Sequence, residues 1–76
     1  MIKIRNLEEV KYYLENGATL MYQPYQEDIN YIGYNDKGKL MNFNENLRYP
    51  ITLEDVETIM EHETLYVYVP NDEIHN

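Results

Sequence analysis

The sequence has no cysteine, no tryptophan and one phenylalanine, and no apolar run approaches the roughly 20 residues that cross a membrane. Without cysteine there are neither disulfides nor thiolate metal sites, so packing and hydrogen bonds must hold the fold. The first five residues alternate apolar and basic side chains and lack the apolar stretch of a signal peptide. These absences predict a cytoplasmic protein that makes no contact with a membrane.

Basic residues are scarce as well. Six Lys and Arg residues oppose 14 Asp and Glu residues, which gives a formal net charge of −8. Direct binding of nucleic acid needs cationic groups that displace counterions, so we expect none. The same charge attracts the chain to basic surfaces, such as the DNA-binding faces of other proteins. Solubility alone is the alternative explanation, since small domains commonly carry net charges of about 2–8 in magnitude.

Residues that carry chemistry are few. His62 is expected at the end of a helix, where an imidazolium interacts favourably with the helix dipole, and His75 is expected in a tail. No spacing supplies the three or four ligands of a zinc site, and Glu27 and Asp28 lack the spacing of an EF-hand. The three glycines are dispersed and form no phosphate-binding motif. We therefore expect no enzymatic activity, no cofactor and no metal.

The chain is only 76 residues long. A domain of this size buries about 60% of the surface of its unfolded chain, and a deep substrate cleft would remove scarce core contacts. Function is therefore expected on the outer surface. We expect one domain over residues 1–70, followed by a flexible acidic tail over residues 71–76.

Two segments carry the start signals of helices. Asn6 with Glu9, and Thr52 with Asp55, have the spacing of capping boxes. Apolar residues follow at helical spacing, and Gly17 can adopt the positive φ that ends a helix. The predicted helices span residues 7–16 and 53–62.

Alternation of apolar and polar residues indicates β-strands. The segment 35–38 suits a hairpin connection, whereas the Asn-rich segment 44–50 is predicted to be a loop. The predicted strands span residues 1–5, 18–22, 29–34, 39–43 and 64–69. The resulting order, β-α-β-β-β-α-β, predicts an α+β fold in which two helices pack on one face of an antiparallel or mixed sheet.

Three glutamates define an acidic ridge on the second predicted helix. Glu54, Glu57 and Glu61 follow the spacing i, i+3 and i+7, so they share one helix face and extend over about 10 Å. The plain structural interpretation is a solvated polar face. Five further carboxylates are candidates to support the ridge in binding a partner: Glu8, Glu15, Glu27, Asp28 and Glu63.

Nine tyrosines provide most of the aromatic surface. Tyr22, Tyr31 and Tyr34 are predicted to lie in the core. Tyr66 and Tyr68 alternate with three aliphatic residues on the last strand and should face away from them. If no helix covers that side, the two rings form an aromatic patch suited to a homodimer contact.

Small size, strong acidity and residue usage rich in Asn, Tyr, Ile, Lys and Glu make the chain similar to phage-encoded proteins that take over a host cell. Within that group it most resembles the DNA-mimicking inhibitors of bacterial DNA sliding clamps. It is also similar in type to the DNA mimics that inhibit uracil-DNA glycosylase or CRISPR nucleases. The likeness covers size, charge and composition over the whole chain, without a diagnostic motif. It implies that carboxylates stand in for phosphates and occupy the basic surface of a host DNA-binding protein.

The leading hypothesis is therefore an acidic DNA-mimicking inhibitor that acts in the cytoplasm of a host cell. Its best candidate partner is the DNA polymerase sliding clamp, and its binding site is the acidic ridge. An adaptor or regulatory module that binds through its tyrosines, with acidity serving solubility, is the alternative. A third hypothesis is a protein that sequesters a small molecule at an oligomer interface.

Overall fold

The computed structural model describes residues 2–69, and within that range the chain forms two helices and six strands. The helices are α1 (Leu7–Glu15) and α2 (Leu53–His62). The strands are β1 (Ile2–Lys3), β2 (Leu20–Tyr22), β3 (Asn30–Tyr34), β4 (Leu40–Phe43), β5 (Arg48–Pro50) and β6 (Tyr66–Val67). The predicted tail over 71–76, with His75, lies outside the described residues.

The strands form one antiparallel sheet in the order β1-β6-β2-β3-β4-β5. The last strand of the chain therefore lies between the first two. The α+β class is confirmed, and the predicted elements occur in the predicted order. The prediction of a loop over 44–50 is wrong at its end, because β5 pairs with β4 there and places Arg48 opposite Phe43. Pro50 is compatible with this position because β5 is an edge strand.

Local side-chain hydrogen bonds start both helices. The Asn6 side chain accepts a hydrogen bond from the Glu9 backbone N–H at 2.9 Å, as predicted. The Glu9 carboxylate does not complete a capping box, because it accepts from the backbone N–H and the guanidinium of Arg5 instead. Thr52 and Asp55 form the full predicted capping box.

Gly17 follows the C-terminal end of α1 with φ +82°, as its position in the sequence predicted. The last residue of α2 is His62, which is exposed. Within residues 2–69, neither helix is long and apolar enough to cross a membrane.

Both helices contribute to a single core on one face of the sheet. Val10 and Leu14 of α1 and Val56 of α2 are buried together with alternate residues of the strands. The buried strand residues on this face include Leu20, Tyr22, Ile32, Leu40 and Val67. Among the described residues, the helices thus form one layer and leave the opposite face of the sheet uncovered.

Candidate interaction surfaces

The outward side of the two helices, which we call the helix layer, carries the acidic ridge. Glu54, Glu57 and Glu61 are all exposed, whereas Val56 on the same helix is fully buried. The predicted amphipathic arrangement of α2 is therefore confirmed. The three carboxylates project from a helix anchored by the core, so their spacing is fixed by the backbone.

Among the described residues, the ridge has no cationic partner in an ion pair. Among residues 2–69 one ion pair forms, between the Arg5 guanidinium and the Glu9 carboxylate at 2.6 Å. The side-chain hydrogen bond from Arg5 lowers the pKa of Glu9, and the same bond raises the pKa of Arg5. The carboxylates of Glu54, Glu57 and Glu61 make no such contact. They remain available to an external cation.

Two other helical carboxylates are occupied by structural contacts. Glu9 binds Arg5, and Asp55 caps α2, so neither is free to bind a partner. Glu8 and Glu15 of α1 are exposed and belong to the same helix layer as the ridge. Lys11 lies between them on α1 and reduces the negative charge of that helix.

Each helix also has an acidic residue in its last turn. Glu15 ends α1, which has no basic residue in that turn, and Glu61 immediately precedes the final residue of α2. A carboxylate at this position faces the negative end of the helix dipole, which is unfavourable by about 0.3–1 kcal/mol. No basic residue offsets Glu15 in its turn, whereas His62 follows Glu61 in the last turn of α2.

The structure separates the remaining candidate residues from the ridge. Glu63 is half-buried at the C-terminal cap of α2 and lines a crevice with Lys3 and Arg5. Glu27 and Asp28 lie on the loop between β2 and β3, beside the uncovered side of the sheet. Glu8 and Glu15 thus share a layer with the ridge, whereas Glu27 and Asp28 lie beside the opposite face of the sheet.

Charge is unevenly distributed between the layers. The two helices contain seven of the 14 carboxylates and one Lys or Arg, namely Lys11. The six strands contain no Asp or Glu but include Lys3 and Arg48. The negative charge of the domain is therefore concentrated away from the sheet.

The uncovered side of the sheet, which we call the open face, is lined by aromatic and methionine side chains. Strand pairing aligns one residue from every strand into a row, in the order Lys3, Tyr66, Met21, Tyr31, Phe43 and Arg48. Apart from the two edge cations, the residues of this row are half-buried although no described helix packs on them. Met41 and Tyr68 extend the same surface.

The rings of the open face pack on one another. Tyr31 stacks on Phe43 with centroids 5.4 Å apart, and Tyr68 meets Tyr31 edge-on at 5.4 Å. The guanidinium of Arg48 lies 5.3 Å from the centroid of Phe43. These ring contacts restrict the side-chain freedom of Tyr31, Phe43 and Tyr68.

The predicted locations of the tyrosines are partly correct. Tyr22 lies in the core, and Tyr66 and Tyr68 lie on the uncovered side, as expected. Tyr31 is on the open face rather than in the core, because β3 buries its neighbours Asn30 and Ile32 instead. The prediction for Tyr34 is also wrong. It is 47% exposed, because it lies at the end of the hairpin.

A buried polar network joins the three central strands. The Tyr22 hydroxyl of β2 donates to Asn42 Oδ1 of β4 at 2.8 Å, and Asn42 Nδ2 donates to Asn30 Oδ1 of β3 at 3.1 Å. Asn44 also donates to Asn30, at 3.2 Å. Burial, with the nearby Tyr49, raises the pKa of the Tyr22 hydroxyl. The network satisfies polar atoms inside the core.

Within residues 2–69, no three His, Asp or Glu residues are grouped so that they could hold a metal ion. Two concavities of about 350 and 360 Å³ are open to solvent, and both border the open face.

Comparison with protein-family models, with curated proteins and with solved structures finds no match to this chain. No relative therefore assigns a role to either surface.

Proposed function

We propose that the chain is an acidic DNA-mimicking inhibitor of phage type, which binds and blocks the basic DNA-binding surface of a host protein. The best candidate partner is the DNA polymerase sliding clamp. The observation that carries this proposal is the helix layer, where the exposed carboxylates of Glu54, Glu57 and Glu61 form no ion pair within residues 2–69. Glu54, Glu57 and Glu61 supply the central contacts, and Glu8 and Glu15 extend them.

The spacing of the ridge supports this role. Glu61 follows Glu54 by seven positions, so the three carboxylates span about 10 Å of helix. Their spacing along the helix axis is about one charge per 5 Å. Successive phosphates of one DNA strand rise by about 3.4 Å. The ridge therefore has about two-thirds of the linear charge density of a DNA strand. Basic residues arranged to receive a phosphate backbone could contact it at several points.

The acids at the helix ends also support a binding role. Glu15 and Glu61 oppose the helix dipoles and form no ion pair with any residue from 2 to 69. A cation supplied by a partner would relieve this unfavourable placement. Local destabilisation that a ligand relieves is common at functional sites.

Direct titration against a purified bacterial sliding clamp tests the proposal. We expect affinity to fall at least about tenfold as salt rises from about 50 to 200 mM, because the contacts are ionic. Duplex DNA loaded on the clamp should compete. Binding that is indifferent to salt, or that persists alongside DNA, would contradict the proposal, and the absence of binding would eliminate the clamp as the partner.

A further inference from the structure

The open face is a preorganised contact surface. Its half-buried aromatic and methionine side chains form one contiguous patch across the strands, and contiguous apolar patches mark interaction sites. Tyr31, Phe43 and Tyr68 are held by ring contacts, and Arg48 lies against Phe43. Little side-chain freedom remains to be lost when a partner binds, which favours association.

The two ends of the open face carry opposite charge. At one end Glu27, Asp28 and Glu45 line a concavity that includes Tyr31. At the other end, the β3–β4 hairpin turn places Lys37 beside a second concavity. We call these the acidic end and the hairpin end.

The hairpin end is less strongly charged than the acidic end. Asp36 adjoins Lys37 there, but Lys39 adds a second cation to the turn. The open face thus has one acidic rim and one basic rim, separated by the length of the central strands.

We propose that the occupant of the open face is a second copy of the chain, related by a two-fold axis that runs across the strands. This axis places the hairpin end of one protomer over the acidic end of its partner, and the reverse, so each charged rim meets its complement. Rows of aromatic and methionine side chains from the two protomers then pack in the centre. Lys3 and Arg48 stay at the outer edges, where solvent screens their repulsion.

Packing two protomers through their open faces keeps the two acidic helix layers apart. Packed layers are spaced by about 10 Å, so two protomers joined through their sheets hold their helix layers about 30 Å from each other. The Debye length at physiological ionic strength is about 8 Å. Two strongly acidic domains can associate in this way with little mutual repulsion, and both acidic ridges remain exposed.

The size of the face sets the strength of the dimer. Six strands spaced by about 4.8 Å span about 24 Å, and the longest strand of five residues spans about 17 Å, giving a projected area of about 400 Å². Stable interfaces bury about 800 Å² on each partner. We therefore expect a weak, reversible dimer with a Kd of about 10–100 μM.

Sedimentation equilibrium from about 1 μM to about 1 mM protein tests the dimer directly. Tyr66→Gln, on the open face, should raise the dimer Kd at least about tenfold, because it removes a central ring. Tyr12→Gln is the matched control. It removes a ring that is 61% exposed in the helix layer and should leave the dimer Kd unchanged. Circular dichroism spectra checked for each variant ensure that folding is retained.

Charge exchange at exposed rim residues provides a second test that does not disturb the aromatic cluster. Lys37→Glu and Glu45→Lys should each weaken the dimer severalfold, and the double variant should regain affinity because the complementary charges are exchanged. A protein that stays monomeric at about 1 mM would overturn the proposal. So would equal effects of Tyr12→Gln and Tyr66→Gln, or a double variant weaker than both single variants.

Discussion

The helix layer and the open face lie on opposite sides of the same small domain and differ in the forces they offer a partner. The helix layer has unpaired carboxylates and a single lysine, whereas the open face has packed rings and no strand carboxylate. An even spread of charge would serve solubility equally well. The segregation indicates that one side is suited to long-range electrostatic attraction and the other to short-range apolar contact.

The two sides also depend differently on the core. Carboxylates on the helices can be exchanged with little loss of packing, because their side chains extend into solvent. The rings of the open face contribute to the sheet through cross-strand pairs, so their removal affects both stability and binding. Variants can therefore distinguish the two surfaces.

The largest expected change in the free energy of unfolding distinguishes the two faces of β2. Leu20 is fully buried under the helices, and its neighbour Met21 points to the open face. Leu20→Ala should lower the free energy of unfolding by about 2–5 kcal/mol, because it leaves a cavity in the core. Met21→Ala should lower it by about 1 kcal/mol or less, since that side chain is only half-buried. Urea unfolding at about 1 μM protein, below the expected dimer Kd, measures both values.

A smaller effect is expected in the buried polar network. Tyr22→Phe removes the hydroxyl that donates to Asn42 and leaves a fully buried carbonyl oxygen without that bond. The free energy of unfolding should fall by about 1–3 kcal/mol. Tyr34→Phe is the control, because that ring is exposed and should change stability by less than about 0.5 kcal/mol. Equal losses in the two variants would show that the network adds nothing specific.

The smallest expected change is an increase in the free energy of unfolding. Glu61→Lys places a cation near the C-terminal end of α2, where the helix dipole favours it, and should raise the free energy of unfolding by about 0.3–1 kcal/mol. The same change should weaken binding to a basic partner. Glu54→Lys, in the first turn of the same helix, should instead destabilise the protein by a similar amount. Urea unfolding at low ionic strength measures the stability of both variants. A loss of stability in Glu61→Lys would contradict the expected effect of the α2 dipole.

Local signals predicted most of the fold. Helix starts were found because capping chemistry is contained within four residues, as in Thr52–Asp55. The strand β5 was missed because it has three residues, includes Pro50 and follows an Asn-rich turn. Its pairing with β4 is a long-range contact that nothing in the segment itself specifies.

The orientation of the central strands was harder to predict. In β4, Met41 and Phe43 alternate with Leu40 and Asn42, so apolar residues occur on both faces and the alternation does not identify the core side. The structure buries Asn42 and leaves Phe43 on the open face, because Tyr22 and Asn30 satisfy the buried amide. Which face of β4 is buried therefore depends on Tyr22, a residue two strands away in the sheet.

The acidic ridge was predictable because helical spacing alone determines which residues share a face. The sequence could not predict that the ridge forms no ion pair with the described cations. That outcome depends on where the sheet places Lys3 and Arg48. The same limit applies to Glu27 and Asp28, whose acidity suggested a role in the ridge although the fold places them beside the open face.

Two matched triple variants test whether the helix layer forms the polyanionic binding surface. Glu54→Lys/Glu57→Lys/Glu61→Lys reverses the ridge, and Glu27→Lys/Asp28→Lys/Glu45→Lys reverses the acidic end. Each replaces three carboxylates with three ammonium groups, so the change in net charge is identical. Affinity for the sliding clamp is measured at about 1 μM protein and low salt, with Tyr66→Gln as a third variant.

Reversing the ridge should weaken the affinity for the clamp about 100-fold, or about 2.7 kcal/mol. Reversing the acidic end should change that affinity by less than about threefold. Tyr66→Gln should have no effect on this affinity. Equal weakening by the two triple variants would mean that net charge alone governs binding. Loss of binding in Tyr66→Gln, with the ridge variant unaffected, would contradict the account and favour an adaptor that acts through its open face.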